Sequence, residues 1–261
     1  MFSGPVDFYY FSGTGNTLLV VKKMQETLQE EGIEVELHKI EDSDPSRIDI
    51  EHTIGLAFPI AAFSTYPFVW EFIRGLPRAH GTEIFMVDTL GGFSGGIVGP
   101  LREIMKKKGY LPIGAEEIIM PPNIFYIQDE KTCQKKIAKG LSMADNYASK
   151  LVKGSAVWGR VPVLSDFMYT LSIGLTNSWK WNSQQKSRFG FQANKTKCNA
   201  CGICAELCPT NNIEINKYPV RRCNCEFCMR CVSFCPRKAI PCKLNYKGET
   251  YQAVKAKELL K

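Results

Sequence analysis

Ten of the eleven cysteines in this 261-residue chain lie between Cys198 and Cys242, and eight of them form two sets of identical spacing. Cys198-x-x-Cys201-x-x-Cys204-x-x-x-Cys208-Pro209 is followed 27 positions later by Cys225-x-x-Cys228-x-x-Cys231-x-x-x-Cys235-Pro236. Thiolates at intervals of three wrap a tight loop around three irons of a cubane cluster. The proline ends that loop and sends the fourth thiolate elsewhere; where two such runs occur, it ligates the other cluster. One [4Fe–4S] cluster is therefore assigned to Cys198, Cys201, Cys204 and Cys235, and a second to Cys225, Cys228, Cys231 and Cys208. Structural zinc prefers thiolates in Cys-x-x-Cys pairs and fits two unbroken sets of four poorly. Disulfides suit a reducing compartment no better. Cys223 and Cys242 are surplus to the eight and read as small buried hydrophobes beside the clusters, with Cys223 an alternative ligand.

A second constellation lies near the N-terminus. Phe11-Ser12-Gly13-Thr14-Gly15-Asn16-Thr17 sits where a strand turns into a helix. Ser12, Thr14 and Thr17 bring hydroxyls, Asn16 an amide, and the loop backbone brings N–H groups at the positive end of a helix dipole. Together they make an anion site. No Gly-Lys-Ser/Thr follows, so it is not a Walker loop, and Leu18 stands where a dinucleotide fingerprint needs its third glycine. Hydroxyls and an amide without a lysine suit one phosphate monoester. His38, His52 and His80 lie apart in the chain and indicate no joint site.

The elements that position these residues alternate. Val6 to Phe11 reads as a strand, and Thr17 to Glu31 as a helix with Leu18, Val21, Met24 and Leu28 on one face. Strands follow at Ile33–Ile40, Thr53–Phe58, Ile84–Leu90 and Leu111–Ile119, with helices at Pro67–Leu76, Ile97–Lys108 and Gln128–Lys153. Strands separated by helical runs predict βαβ units and a doubly wound parallel α/β sheet. The organisation expected is residues 1–153 as one domain, 154–190 as a packed connector rich in tryptophan (Trp158, Trp179, Trp181), and 191–261 as a duplicated cysteine domain. No apolar run approaches the ~20 residues a bilayer span needs. The N-terminal residues lack a basic flank followed by an apolar stretch, so a cytoplasmic location is expected.

Residues 191–261 resemble the bacterial ferredoxins that carry two [4Fe–4S] clusters. Residues 1–150 resemble flavodoxins, which implies a five-stranded sheet in the order 2-1-3-4-5 with FMN at the β1/β3 switch point. On that resemblance Ser12, Thr14, Asn16 and Thr17 hold the FMN phosphate, while Gly13 and Gly15 permit close backbone approach. Two further loops would reach the flavin ring: Pro59, Ile60, Ala61, Ala62 and Phe63 after the third strand, and Thr89, Leu90, Gly91, Gly92 and Phe93 after the fourth. Phe63 and Phe93 are the candidate stackers. Many flavodoxins carry a glycine where this chain has Ala61-Ala62. Asn123 could also face the same site, although turn chemistry is the favoured reason for it. Taken whole, the chain resembles the EFR-type fused flavodoxin/ferredoxin proteins of anaerobes.

The formal net charge of +7 is uneven: residues 191–261 hold 13 Lys/Arg against 5 Asp/Glu, whereas residues 1–190 nearly balance. Two oxidised clusters with their thiolates would return about −4 of that charge. The cysteines thus displace nucleic acid as the explanation of the basic tail. What remains could steer an acidic redox partner protein, with Arg221, Arg222, Arg230, Arg237 and Lys238 as the patch. The reading expected is an electron carrier linking two clusters and FMN to partner proteins in anaerobic metabolism. The alternatives are an FMN-dependent oxidoreductase acting on a small substrate, for which Tyr66 and Asp88 are the nearest proton donors, and an electron-wiring subunit of a larger complex.

Overall fold

A computed structural model describes residues 4–61, 64–92, 96–159, 192–242 and 245–260. Five strands, β1 (Val6–Tyr10), β2 (Val35–Lys39), β3 (Thr53–Pro59), β4 (Glu83–Leu90) and β5 (Leu111–Ile119), form one sheet in the order β2-β1-β3-β4-β5. Every pairing in it is parallel. The crossovers are helices α1 (Asn16–Glu30), α2 (Pro67–Gly75), α3 (Val98–Lys107) and, after β5, α4 (Glu130–Val152). This is the flavodoxin-like doubly wound arrangement, whose loops at the carboxyl ends of the strands meet where the strand order reverses.

Side chains alternate across the sheet with a period of two, so neighbours in one strand enter different cores. Phe8, Phe85 and Val87 pack with Leu18, Val21 and Met24 of α1 and with Tyr147 and Leu151 of α4. On the opposite face Tyr9, Ile54, Leu56 and Met86 pack with Trp70 and Ile73 of α2 and Leu101 and Met105 of α3. Tyr147 is fully buried and donates its hydroxyl to the Met86 carbonyl at 2.9 Å, which meets the polar demand of burying a phenol.

Strand β2 begins two residues later than its alternation predicts. Gly32, at φ +81°, turns the chain out of α1, and the Ile33 N–H returns to the Leu28 carbonyl at 3.0 Å. Ile33 thereby closes the helix rather than opening the strand.

The cysteine-bearing segment is built of short pieces: α5 (Ile203–Glu206), the antiparallel pair β6 (Ile213–Asn216) and β7 (Tyr218–Arg221), and α6 (Arg230–Ser233). Leu207, Phe234, Val254 and Leu259 of this segment join the same buried cluster as Phe8 and Leu18. Trp158 packs in the α2/α3 core and donates its indole N–H to the Val98 carbonyl at 2.9 Å. The rest of the expected connector from residue 160, with Trp179 and Trp181, lies outside the described residues. Among the described residues no helix is long and apolar enough to cross a membrane.

Candidate functional site

The loop Ser12–Thr17 emerges from β1 into the N-terminus of α1, and Ser12, Thr14 and Thr17 are buried. Ser12 Oγ accepts the Leu18 N–H at 3.2 Å, and the Thr17 hydroxyl lies 2.8 Å from that of Thr89 on β4. Among the described residues, no backbone carbonyl accepts the N–H groups of Gly13, Thr14, Gly15, Asn16 or Thr17. Five successive donors of this kind, all but that of Asn16 on buried residues, need an acceptor. A phosphate at the positive end of α1 supplies one, so the donor set fits the group expected there.

Something else closes over the same loop. The Cys228 carbonyl lies 2.8 Å from where a Cβ on Gly13 would stand, and Val254 atoms lie 2.6–3.0 Å from where one on Gly15 would stand. Gly15 also has φ +108°, which a side chain tolerates poorly. The two glycines therefore allow the close approach of the cysteine-bearing segment, a role that the Gly-rich pattern alone does not reveal. The Ala253 N–H donates to the Thr14 carbonyl at 2.8 Å, and the Tyr251 hydroxyl reaches Asn16 Oδ1 at 2.6 Å. Asn16 Nδ2 donates to the Pro121 carbonyl at 2.8 Å. Asn123 donates to the Thr14 hydroxyl at 3.2 Å, so its amide serves the loop and not only its own turn. Tyr251, Ala253, Val254 and Pro121 carried no sequence signal, because their role depends on where the chain returns.

The eight cysteines of the repeat separate into two cavities. Cys208, Cys225, Cys228 and Cys231 line one; Cys198, Cys201, Cys204 and Cys235 line the other. Each cavity takes three sulfurs from one run and the fourth from the other. The two crossing residues are treated alike: Cys208 Sγ accepts the Asn212 N–H and Cys235 Sγ the Ala239 N–H, both at 3.2 Å. N–H donors to ligand sulfur are one of the levers that tune a cluster's potential. Burial, more than any neighbouring charge, pushes the Cys204 thiol up to about 11 and the Cys228 thiol up to about 12. Thiols held neutral this way become thiolates when iron provides the counter-charge. The donor sets thus fit the clusters expected of them. Cys242 is buried as expected, whereas Cys223 is exposed and lines neither cavity. Its position on a solvated turn overturns its reading as a buried hydrophobe.

The two loops expected to reach a flavin ring are brought side by side by the β3–β4 pairing. Pro59 pairs with Thr89, and the Ile60 N–H donates to the Thr89 carbonyl at 2.8 Å. Ala61 closes a tight turn with Ser64, Leu90 is buried, and Gly91 and Gly92 are exposed. Ala62, Phe63 and Phe93 lie outside the described residues. Tyr66 is buried against Phe11 and the Cys228 loop, and burial, with the Cys228 charge next, raises its phenol far above the ordinary range. Asp88 is 0% exposed and, among the described residues, neither of its oxygens has a hydrogen-bond partner; burial holds its carboxyl well above the usual range. The patch expected of basic residues loses one member, because Arg230 is 2% exposed. The histidines are also closer than their spacing implies. His38 Nε2 and His52 Nδ1 lie 3.3 and 3.1 Å from the two oxygens of Asp7, which sits near the amino end of β1.

A family model described as a 4Fe-4S binding domain matches residues 191–214, which include Cys198, Cys201, Cys204 and Cys208. No curated protein matches the chain. Among solved structures, the chain is similar to the Streptococcus pneumonia TIGR4 flavodoxin at 14% identity, covering 57% of this chain and 99% of that one, with a TM-score of 0.44. It is similar to two-electron reduced Megasphaera elsdenii flavodoxin at 22% identity, covering 53% and 98%, with a TM-score of 0.40. General stress protein 14 of Treponema denticola, solved in complex with FMN, is similar at 12% identity, covering 57% and 99%, with a TM-score of 0.40. A sheet of flavodoxin-like order and a segment that matches a 4Fe-4S binding model stand on one chain.

Proposed function

We propose that this protein is an electron carrier holding two [4Fe–4S] clusters and one FMN, which exchanges electrons with partner proteins. Clusters pass single electrons and a flavin takes one or two, so the pair would join one-electron donors to two-electron acceptors. The observation that carries the reading is the seating of the Cys228 loop on Gly13 of the candidate phosphate loop, with 2.8 Å between the Cys228 carbonyl and a Gly13 Cβ position. A ligand-bearing loop packed on a cofactor-bearing loop makes transfer between them intramolecular.

In this reading the N–H groups of Gly13–Thr17 hold the phosphate, and the loops at Pro59–Ala61 and Thr89–Gly92 flank the ring. The cluster of Cys208, Cys225, Cys228 and Cys231 is the one nearer the flavin; that of Cys198, Cys201, Cys204 and Cys235 is the outer one. The outer set includes the exposed Cys201, and the exposed Arg222, Arg237 and Lys238 remain as the face for an acidic redox partner, while the half-buried Arg221 lines the inner cavity. A reducing, oxygen-poor cytoplasm suits such groups.

The test is an anaerobic preparation of the full chain assayed for iron, sulfide and flavin, then titrated by visible absorbance and EPR. About eight irons and about one FMN per chain are expected. Fewer than about four irons would remove the two-cluster reading, and flavin that fails to bind at micromolar concentration would remove FMN.

A further inference from the structure

The two cysteine runs are alike in spacing but not in filling. Between the second and third cysteines the first run has Gly202-Ile203 and the second has Met229-Arg230. Arg230 thus stands where the outer cluster's loop has an isoleucine.

Its guanidinium is tied on every side. Nη1 donates to the Leu207 carbonyl at 3.2 Å, immediately before Cys208, and Nε donates to the Ser12 carbonyl at 2.9 Å, at the head of the phosphate loop. Nη2 pairs with Glu41 Oε1 at 2.5 Å, with the two side chains only 3% and 1% exposed. The guanidinium carbon lies 4.7 Å from the centre of the Phe11 ring. Arg230 lines the cavity of Cys208, Cys225, Cys228 and Cys231, and three of those four cysteines lie within two residues of it or of the carbonyl it binds. Glu41 follows β2 on the sheet side of the contact and does not line that cavity. The result is a buried dipole with its positive end at one cluster site and its negative end away from it. An arginine keeps its charge at all working pH values, and charges in a buried setting act more strongly than at a surface.

We propose that Arg230 and Glu41 set the direction of the electron step between the two clusters. The buried guanidinium favours the reduced, more negative state of the inner cluster over that of the outer one, whose loop has Ile203 at that position and whose one lining arginine, Arg237, is exposed to solvent. Electrons arriving at the outer cluster are thereby drawn inward, towards the phosphate loop. Glu41 opposes the same effect and limits its size. Arg230 is a positioning residue too, since it fastens the Cys208 and Cys228 loops to the end of β1. The inference rests on the two-cluster reading above.

The experiment is an EPR-monitored potentiometric titration of the full, anaerobically reconstituted chain. The two signals are assigned by the one lost in Cys201→Ser. In Arg230→Met the equilibrium share of a single electron is expected to move about tenfold towards the outer cluster, which is about 59 mV for a one-electron couple. In Glu41→Gln it is expected to move the opposite way. Opposite signs are the readout that a merely structural role would not produce, since loosened packing would move both variants alike. Should Arg230→Met fail to fold, Arg230→Lys keeps the charge and is expected to leave the distribution within about twofold, while Glu41→Gln alone still tests the sign. Shifts of the same sign, or none beyond about twofold in Glu41→Gln, overturn the proposal. Only one cluster signal in the unsubstituted chain overturns the two-cluster reading, and the proposal with it.

Discussion

The carbonyl of Cys228 stands over Gly13 so closely that a Cβ on Gly13 would lie 2.8 Å from its oxygen. Backbone presses on backbone here, and neither side can rotate away as a flexible side chain would. Gly13→Ala is therefore expected to lift the Cys228 loop and to cost ~1–3 kcal/mol, the usual penalty of inserting a methyl into a packed contact. Denaturant unfolding and iron content check it. Unchanged stability with full iron would mean that the loop is not seated on Gly13 in solution.

Crossed ligation separates the residues of one run. Cys208→Ala is expected to lose the cluster of Cys225, Cys228 and Cys231, and Cys235→Ala that of Cys198, Cys201 and Cys204. Each variant should fall from about eight to about four irons. EPR of the remaining cluster distinguishes the two. If Cys208→Ala and Cys204→Ala leave the same cluster behind, ligation is not crossed.

Asp88 carries a pH dependence whose sign follows from its burial. Its carboxyl stays protonated in the fold, chiefly through burial and then through the charges of Glu117 and Glu116. In the unfolded chain the same group ionises in the ordinary carboxylate range. Above that range the folded state holds the extra proton, so stability falls as pH rises towards the raised folded value. Asp88→Asn is expected to flatten this fall above the ordinary carboxylate range. Asp88→Leu should raise stability near neutrality by ~1–3 kcal/mol, because it removes an unmet buried polar group. Urea midpoints measured upward from that range decide it, and a slope unchanged in Asp88→Asn counts against it.

Trp158 ties the start of the connector to α3 through its indole and its 3% exposure. Trp158→Ala is expected to cost ~3–5 kcal/mol. Trp158→Phe, which loses chiefly the bond to the Val98 carbonyl, should cost ~1 kcal/mol. Thermal melts of the two variants give the comparison; equal midpoints would mean that the ring is not packed in the core.

What was legible in the chain was local. The cysteine runs state their own chemistry, because ligand spacing depends only on the few residues between them. The alternation of Phe8 and Tyr9 across the sheet, the helical stripe of Leu18, Val21 and Met24, and the turn at Gly32 are likewise set by neighbours in the sequence. Strand β5 falls where its pattern predicts, at Leu111–Ile119. The short pair β6/β7 went unread because four-residue strands carry too little pattern to separate from turns.

What only the tertiary structure decided is who meets whom. Nothing in the spacing of His38 and His52 points to Asp7, and the parallel pairing of β1 with β2 and β3 is what brings them there. Arg230 reads as one more surface cation until its Nε is found 2.9 Å from the Ser12 carbonyl, 218 positions away. Gly13 and Gly15 announce a tight loop, but the sequence does not say that Cys228 and Val254 will lie against it. Contacts of that range are chosen by how whole layers pack and by where buried charge finds its partner. That choice is a property of the assembled core and of no single segment.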